Sequence, residues 1–186
     1  SEPRTLLLRP APELDHRAAN SVCDTIAGFA RIAGENKGHS GPILIENSHR
    51  AITSARVWEL AEKTENRLRV AWSNYGTMLS GESPSVVVPR LIRFMNWVAL
   101  ADWVGNPTKP TWVPLGAGAA GIAHIINLLR GFGFAGRIGI DPPDATIDSR
   151  EFVERSIAFL GTEWHRPVQT LPAYRGDRHT VRFQKT

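Results

Sequence analysis

Five consecutive polar residues lie where a predicted strand meets a predicted helix: Glu46, Asn47, Ser48, His49 and Arg50. The first turn of a helix presents unpaired N–H groups and the positive end of the helix dipole, so it attracts phosphate. His49 and Arg50 add side-chain donors at that point, and the guanidinium is charged at every physiological pH. Asn47 and Ser48 are suited to cap the helix or to contact phosphate directly. The segment therefore predicts a phosphate-binding site.

Hydrolysis of a phosphate ester at such a site needs a carboxylate as well as phosphate donors, because Mg²⁺ prefers oxygen ligands. Glu46 lies beside the donors and is the best-placed carboxylate, so Glu46 and Arg50 are predicted to be catalytic. Asp15 and Asp24 flank the first predicted helix, where acids more often cap the helix or face solvent. Arg56, about two turns beyond Arg50, would extend a basic face towards DNA or simply face solvent. The metal ligands stay unassigned.

A second pattern, Gly116-x-Gly118-x-x-Gly121, has the glycine spacing of loops that bind dinucleotides. A predicted helix and a predicted strand over Arg137–Asp141 follow it, and that strand ends twenty residues after the last glycine. The strand that must precede the loop is Thr111–Leu115, which contains a proline and is a poor candidate. A dinucleotide-binding oxidoreductase is therefore one alternative. The other is a glycine-rich helix start that packs closely on its neighbour.

The elements that would position these residues follow the order β-α-β-β-α-β over the first 75 residues. They are a strand at Thr5–Arg9, a helix that begins at Asp15, a hairpin over Gly28–Glu46, a helix over residues 48–64 and a strand at Arg67–Trp72. The strands are apolar or alternating, and the helices carry apolar side chains three and four residues apart. This half predicts a compact mixed unit of strands and helices.

The second half of the sequence is mainly helical in pattern. Val86–Val104 is apolar nearly all round, which predicts a helix at the centre of the core or at a partner interface. Gly116–Phe132 predicts a further helix, Arg137–Asp141 a short strand, and Asp148 opens a helix to about Leu160. The sequence thus divides into a core over residues 1–76, a helical extension over 77–165 that packs on it, and a basic tail over 166–186.

The composition is that of a globular protein with a core of its own. The chain has 186 residues, of which 42% are hydrophobic and 22% are charged. Cys23 is the only cysteine, which excludes a disulfide scaffold and suits a reducing compartment. No apolar run reaches the roughly 20 residues of a membrane span, and the first residues lack the pattern of a signal peptide. A cytoplasmic protein without a membrane span is expected.

The net charge of +4 is concentrated in the predicted tail. Residues 1–165 carry equal numbers of basic and acidic side chains, whereas the tail carries five basic residues and the single acid Asp177. Basic side chains bind nucleic acid through its phosphates, so the tail predicts a DNA contact, with a solvated terminus as the alternative. The basic residues of this predicted contact are Arg175, Arg178, Arg182 and Lys185.

Three short motifs occur in the same order as in the ParB/sulfiredoxin superfamily. They are Arg9-Pro10-x-Pro12-x-Leu14-Asp15, the helical Ser21-x-x-Asp24-Thr25-Ile26, and His49-Arg50-Ala51 after the hairpin. Sulfiredoxins have a similar Arg-Pro…Leu-Asp opening, a helix that ends in Asp-Thr-Ile, and a Cys-His-Arg box that binds ATP phosphates. Over about residues 4–72 the chain therefore resembles this superfamily.

The resemblance implies a fold of the α/β class (mixed α+β), with a ParB/sulfiredoxin-like β-α-β-β-α-β core and a mainly helical C-terminal extension. It also implies ATP as the cofactor. Ser21 and Thr25 match helix positions that contact the nucleotide, and His49 and Arg50 match the pair that binds phosphate. Ser48 stands where sulfiredoxins have their cysteine, so the reduction of a sulfinic acid is excluded.

A stand-alone member of this size resembles Osa-like plasmid fertility-inhibition factors, which are regarded as ATP-hydrolysing nucleases that block DNA export. The resemblance thus implies an ATPase and DNase that blocks conjugative or type IV secretion transfer, with Mg²⁺, DNA and a secretion component as partners. Glu46 and Asn47 replace the two glycines of the family box, which favours instead a non-catalytic nucleotide- or DNA-binding protein. Such a protein would form a homodimer through the Val86–Val104 helix.

Overall fold

The computed structural model of the protein describes residues 6–8, 21, 23–28, 43–47, 52–64, 67–142 and 150–167. The strands within these residues are β1 (Leu6–Leu8), β2 (Ile43–Glu46), β3 (Leu68–Ser73), β4 (Met95–Leu100), β5 (Asp102–Val104), β6 (Thr111–Val113) and β7 (Arg137–Ile140). The helices are α1 (Ser54–Lys63), α2 (Asn74–Leu79), α3 (Pro84–Leu91), α4 (Ile122–Gly131) and α5 (Arg150–His165). Residues 23–28 are helical as well, and a 3₁₀ turn over Ile92–Phe94 joins α3 to β4.

Five strands form one sheet in the order β1-β2-β3-β4-β7, and every neighbouring pair is parallel. Each strand is added beside the preceding one, apart from the short β5 and β6, which form a ribbon of their own. Parallel neighbours need crossover connections, and α1, α3 and α4 lie in the crossovers that follow β2, β3 and β4. Closed α/β barrels are wound in the same sequential order. All five carboxyl ends lie at one edge of the sheet, which we call the carboxyl edge.

The main core lies between the sheet and the helices that cover one of its faces. Ile45, Val70 and Val98 are completely buried on that face. α1 covers it with Val57 and Leu60, which are three residues apart and therefore lie on one side of the helix. Strands that are covered on both faces are apolar along their whole length, and the burial of all four β2 residues fits this rule. The strand ends are consequently held by a packed core.

The antiparallel ribbon of β5 and β6 begins directly after β4, at the carboxyl edge. Trp103 on β5 lies opposite Trp112 on β6. A two-stranded ribbon is at best marginally stable alone, so this one depends on contacts with the rest of the protein. Those contacts place aromatic side chains beside the strand ends.

The predicted ParB/sulfiredoxin-like core is wrong, and the direction of strand pairing shows why. A hairpin over Gly28–Glu46 would pair β2 with an antiparallel neighbour, whereas β2 pairs in parallel with both β1 and β3. Residues 29–42, which would hold the other arm of that hairpin, lie outside the described residues. The predicted mainly helical extension is wrong as well, because β4 and β7 complete the same sheet. Strand direction depends on contacts between distant segments, which local patterns do not record.

The predicted helix over Val86–Val104 is also wrong. Only its first residues are helical, in α3, and the chain then passes through the 3₁₀ turn into β4 and β5. Apart from Asn96, β4 is apolar on both faces, and a short apolar run of this kind has the same pattern as a buried helix. The homodimer predicted through this helix stays a prediction, but the continuous helix face that would form its interface is not present.

Several local predictions are confirmed. The strands predicted at Thr5–Arg9, Arg67–Trp72 and Arg137–Asp141 correspond to β1, β3 and β7. The helix predicted to end near Leu160 continues to His165, passing through Gly161. Within the residues that the structure describes, we find no helix that combines the length and the apolar character needed to cross a membrane.

Candidate functional site at the carboxyl edge

Polar residues gather at the carboxyl edge, where β2, β3 and β4 end. Glu46 and Asn47 end β2, Ser73 and Asn74 lie at the end of β3, and Asp102 comes two residues after β4. All five are buried, with exposed fractions between 1% and 8%. Buried polar groups need hydrogen-bond partners, so the partners decide which of these side chains can contact a ligand.

Asn47 connects the end of β2 to the end of β3. The backbone N–H of Ser73 donates to Asn47 Oδ1 at 2.6 Å, and Asn47 Nδ2 donates to the Ser73 carbonyl at 3.3 Å. The same Nδ2 donates to Thr77 Oγ1 at 3.0 Å, and Trp72 Nε1 donates to that hydroxyl oxygen at 2.6 Å. The Asn47 amide thus continues the hydrogen bonding between the two strands by one step and links it to α2.

Asn74 repeats this arrangement one strand further along. The backbone N–H of Ala101 donates to Asn74 Oδ1 at 2.9 Å, and Asn74 Nδ2 donates to the Ala101 carbonyl at 2.8 Å. Because Asn74 follows β3 and Ala101 follows β4, this pair of bonds joins two neighbouring strand ends. Both asparagines therefore hold the carboxyl edge together, and their described bonds leave them little capacity for a ligand.

Asp102 is enclosed by backbone N–H groups. Its Oδ1 accepts from Trp103 at 2.9 Å and from Ala120 at 3.0 Å, and its Oδ2 accepts from Gly116 at 2.9 Å and from Gly118 at 3.0 Å. A carboxylate can accept about four hydrogen bonds, so Asp102 has no site left for a metal or a substrate. The carboxylate fixes the loop that joins β6 to α4.

The dinucleotide site predicted for Gly116–Gly121 is therefore wrong. The N–H groups that would contact a pyrophosphate contact the carboxylate of Asp102 instead. The preceding strand, β6, belongs to the antiparallel ribbon and not to the parallel sheet that such a site requires. Gly118 is needed for close packing, because a Cβ atom there would lie 2.5 Å from the Trp103 carbonyl oxygen. The oxidoreductase alternative loses its structural basis.

The helix start predicted to bind phosphate begins six residues later than expected and is capped by the protein itself. α1 begins at Ser54, and its N-cap is Thr53. The backbone N–H of Ser54 donates to Glu82 Oε2 at 2.7 Å, and the Ser54 hydroxyl donates to Glu82 Oε1 at 2.5 Å. A carboxylate at this point interacts favourably with the helix dipole, as a phosphate would. The first turn of α1 thus has an internal anion.

Three aromatic rings lie where the ribbon meets the strand ends. The Tyr75 ring is 5.4 Å from that of Trp103 and 4.9 Å from that of Trp112, in both cases edge to face. Tyr75 Oη donates to the Pro107 carbonyl at 3.1 Å, and burial raises the pKa of the phenol. The rings supply the apolar contact that the ribbon needs, and they form one side of the carboxyl edge.

The structure describes only three of the predicted nucleotide-binding residues, Ser21, Thr25 and Asn47. Ser48, His49 and Arg50 lie outside the described residues, so their roles stay predictions. Ser21 and Thr25 are exposed, and Thr25 Oγ1 donates to the Ser21 carbonyl at 2.8 Å.

Of the residues predicted to contact DNA, the structure describes Arg56 alone. Arg56 is half-buried on α1 and lines a cleft of about 270 Å³ with Asp24, Glu59 and Lys63. Burial raises the pKa of Cys23 at the same cleft, so the thiol is protonated at neutral pH. The basic residues of the predicted tail contact lie outside the described ranges, and their DNA contact stays a prediction: Arg175, Arg178, Arg182 and Lys185.

The sequence predicts Glu46 and Asn47 as candidate site residues, in roles that stay predictions, and does not single out Asn74, Thr77 or Asp102. Asn74 follows β3 directly and Asp102 comes two residues after β4, and a polar residue at such a strand end is a usable signal once the strand has been recognised. The helix predicted over residues 86–104 contains no strand end, so the sequence does not single out Asp102 as a residue that follows a strand.

A divalent metal is not accommodated by the described residues. Among them, no group of three or more His, Cys, Asp or Glu side chains lies close enough to hold an ion. Asp102, at the carboxyl edge, already accepts four backbone N–H groups. The expected Mg²⁺ therefore stays a prediction, and no chemical step is derived through it.

Comparisons with solved structures reveal the fold. A xylose isomerase domain-containing protein from Salmonella typhimurium matches with a TM-score of 0.69 at 15% identity, over 84% of this chain and 63% of that chain. The IolI protein, solved with a zinc atom, matches with a TM-score of 0.68 at 12% identity, over 90% and 65%. L-ribulose 3-epimerase matches with a TM-score of 0.58 at 14% identity, over 86% and 61%. The chain spans less than two thirds of each of these proteins.

The described strands and helices thus have a fold similar to part of a xylose isomerase-like TIM barrel. No protein-family model and no curated protein matches the sequence. The ParB/sulfiredoxin resemblance is wrong, and the ATP-hydrolysing DNA nuclease inferred from it is wrong with it, since the neighbours carry the names of sugar-modifying enzymes. The assignment of ATP as cofactor has lost its basis for the same reason.

Proposed function

We propose that the carboxyl edge forms one side of the active site of an enzyme that isomerises or epimerises a small sugar. The observation that carries this proposal is the gathering of buried polar residues at the ends of successive parallel strands. In barrels wound in this order, ligands bind at that edge. The names of the structural neighbours, among them an L-ribulose 3-epimerase and a xylose isomerase domain protein, support the class of substrate.

Isomerisation and epimerisation next to a carbonyl require a base that removes a proton from carbon and returns it. We assign this role to Glu46, the last residue of β2, which is 5% exposed. Side chains alternate along a strand, so Glu46 shares a face with Leu44, opposite the helix-covered Ile43 and Ile45. Asp102 is unsuited to the role, because both of its oxygens accept two backbone N–H groups.

Exchange of carbon-bound protons with solvent tests the proposal. The full chain is incubated in D₂O with L-ribulose, D-xylose, D-tagatose or D-allulose, with and without added Zn²⁺ or Mg²⁺, and deuterium next to the carbonyl is measured by NMR. We expect incorporation into at least one sugar. We expect Glu46→Gln to slow it by about 10²-fold or more, the usual contribution of a general base.

Glu59→Gln on α1 is the matched control, because Glu59 is exposed and lies away from the strand ends. It should exchange deuterium at the rate of the unmodified chain. Absence of exchange with all four sugars, in the presence and absence of both metals, would contradict the proposed function. Equal rates for Glu46→Gln and Glu59→Gln would contradict the assignment of the base.

A further inference from the structure

A polar cleft of about 210 Å³ lies between α4 and the end of α5, and its wall includes none of the polar residues of the carboxyl edge. α4 contributes His124, Asn127 and Arg130 to its wall, and the end of α5 contributes Glu163 and Arg166. The three α4 side chains are spaced at three-residue intervals, so successive members are neighbours on the helix surface. Residues from two helices therefore direct hydrogen-bonding groups into one concave site.

Arg130 has donors that the described residues do not occupy. Its Nη1 donates to the Glu163 carbonyl at 3.2 Å and also to the Arg166 carbonyl, which caps the last turn of α5. Within the described part of the chain, Nε and Nη2 of this half-buried guanidinium have no further partner. A guanidinium carries five N–H donors, so most of its capacity is available to a ligand.

The positive charge of the cleft exceeds its negative charge. Arg166 Nη2 lies 2.9 Å from Glu163 Oε1, and the two side chains are 54% and 8% exposed. Glu163 therefore compensates one guanidinium but not both. The end of α5 adds roughly half a negative charge from the helix dipole, which still leaves an excess. His124 lies at the same wall, and its Nε2 is 3.0 Å from Ser85 Oγ.

We propose that this cleft binds a phosphate-sized oxyanion, either free or as the phosphate group of a small metabolite. Arg130 and Arg166 donate to the anion, because guanidinium groups match the oxygens of phosphate in pairs. Glu163 competes with the anion for Arg166. The site lies on the helix layer and is independent of the proposed sugar chemistry, so either proposal can fail while the other stands.

Titration of the full chain with inorganic phosphate, sulfate and a sugar phosphate tests the proposal. Isothermal calorimetry is run at constant ionic strength, because weak contacts at surface charges are screened by salt. We expect saturable one-to-one binding of phosphate. Tighter binding of the sugar phosphate identifies a metabolite as the source, and equal affinity identifies the free anion. A lack of saturable binding by all three probes overturns the proposal.

Arg166, which directly follows α5, and Arg155 on α5 provide a matched pair of variants. Arg166→Gln removes a cleft donor and should weaken phosphate binding about tenfold, the effect of one charge-assisted hydrogen bond. Arg155→Gln removes the same charge from an arginine that is 60% exposed and lies 3.6 Å from Glu151, outside the cleft. It should leave the affinity unchanged. Equal losses in the two variants overturn the proposal, since they indicate non-specific attraction.

Glu163→Gln should change phosphate affinity in the opposite direction to Arg166→Gln. The substitution keeps the shape of the side chain and removes the carboxylate that holds Arg166. We expect phosphate to bind several-fold more tightly, because Arg166 no longer has to leave an ionic partner. Thermal melting without phosphate shows whether the variant is folded. A folded Glu163→Gln chain whose phosphate affinity is unchanged or weaker overturns the role assigned to Glu163.

Discussion

Two kinds of anion-binding geometry occur in this protein, and they differ in what occupies them. At the start of α1 the N–H and the hydroxyl of Ser54 donate to the Glu82 carboxylate, and in the glycine loop three backbone N–H groups donate to the Asp102 carboxylate. In the cleft between α4 and α5, the guanidinium of Arg130 has donors that the described residues leave available.

The difference follows from burial. Asp102 is 1% exposed, and a buried carboxylate must find its hydrogen-bond donors within the chain, because no water reaches it. Arg166 is 54% exposed, so water can hydrate it until a ligand arrives. Donors that converge on a buried carboxylate therefore stabilise the fold, whereas donors in an open cleft can bind a ligand. Substitutions in the first group should lower stability, and substitutions in the cleft should lower affinity.

Asp102→Asn should have the largest effect on stability. The amide accepts on one side only, so two of the four backbone N–H groups lose their acceptor, at about 2 kcal/mol each. We expect a loss of about 4 kcal/mol in the free energy of unfolding, measured by urea denaturation. Asp24→Asn, on an exposed position, is the control and should change stability by less than about 0.5 kcal/mol. Similar values for both variants would mean that Asp102 does not organise the loop.

Asn74→Ala should have the next largest effect. The truncation leaves the N–H and the carbonyl of Ala101 without their described partner, and we expect a loss of about 2 kcal/mol. Hydrogen exchange of the Ala101 amide should accelerate together with the loss of stability. Asn96→Ala, an exposed asparagine on β4, should leave both quantities nearly unchanged. An unaltered exchange rate in Asn74→Ala would show that the strand ends are held by other contacts.

The polar residues at the strand ends show how much of the candidate site can be predicted from the sequence alone. Glu46 and Asn47 can be recognised from the sequence as polar residues at a strand end, because the residues before them form a short apolar run. Asn74 and Asp102 occupy equivalent places, but Asp102 follows a strand that has the pattern of a buried helix. Strand positions such as β3 and β7 are encoded locally and can be predicted.

A short segment of sequence does not record the direction in which a strand pairs. Nor does it record which group accepts from a set of converging N–H donors. β2 is a strong strand in either orientation, and only its contacts with β1 and β3 make it parallel. The glycine spacing at residues 116–121 correctly indicates converging N–H groups, yet their anion is an aspartate fourteen residues before the first glycine. Short motifs therefore predict geometry better than they predict the ligand.

Gly118→Ala tests whether the glycine loop is closed around Asp102. A Cβ atom would lie 2.5 Å from the Trp103 carbonyl oxygen, which is backbone and has little freedom to move. We expect a loss of about 1.5 kcal/mol by urea denaturation. Gly131→Ala is the control with the opposite sign: nothing lies within 4 Å of its Cβ, and alanine there should raise stability by about 0.5 kcal/mol. A neutral Gly118→Ala would show that the loop adapts.

The smallest expected effect concerns Tyr75, which is only half-buried at the carboxyl edge. Burial raises the pKa of its phenol above 10.0, so the folded chain keeps this proton at a pH where the unfolded chain loses it. Above about pH 10 the native state therefore binds more protons, and the free energy of unfolding falls as the pH rises. In Tyr75→Phe this contribution is absent, so urea denaturation between about pH 9.5 and 11 should show a shallower decline than in the unmodified chain. Coincident slopes would mean that the phenol is as solvated as in the unfolded chain. The Tyr75 phenol would then count among the groups that stay available to water, although its ring packs against Trp103 and Trp112.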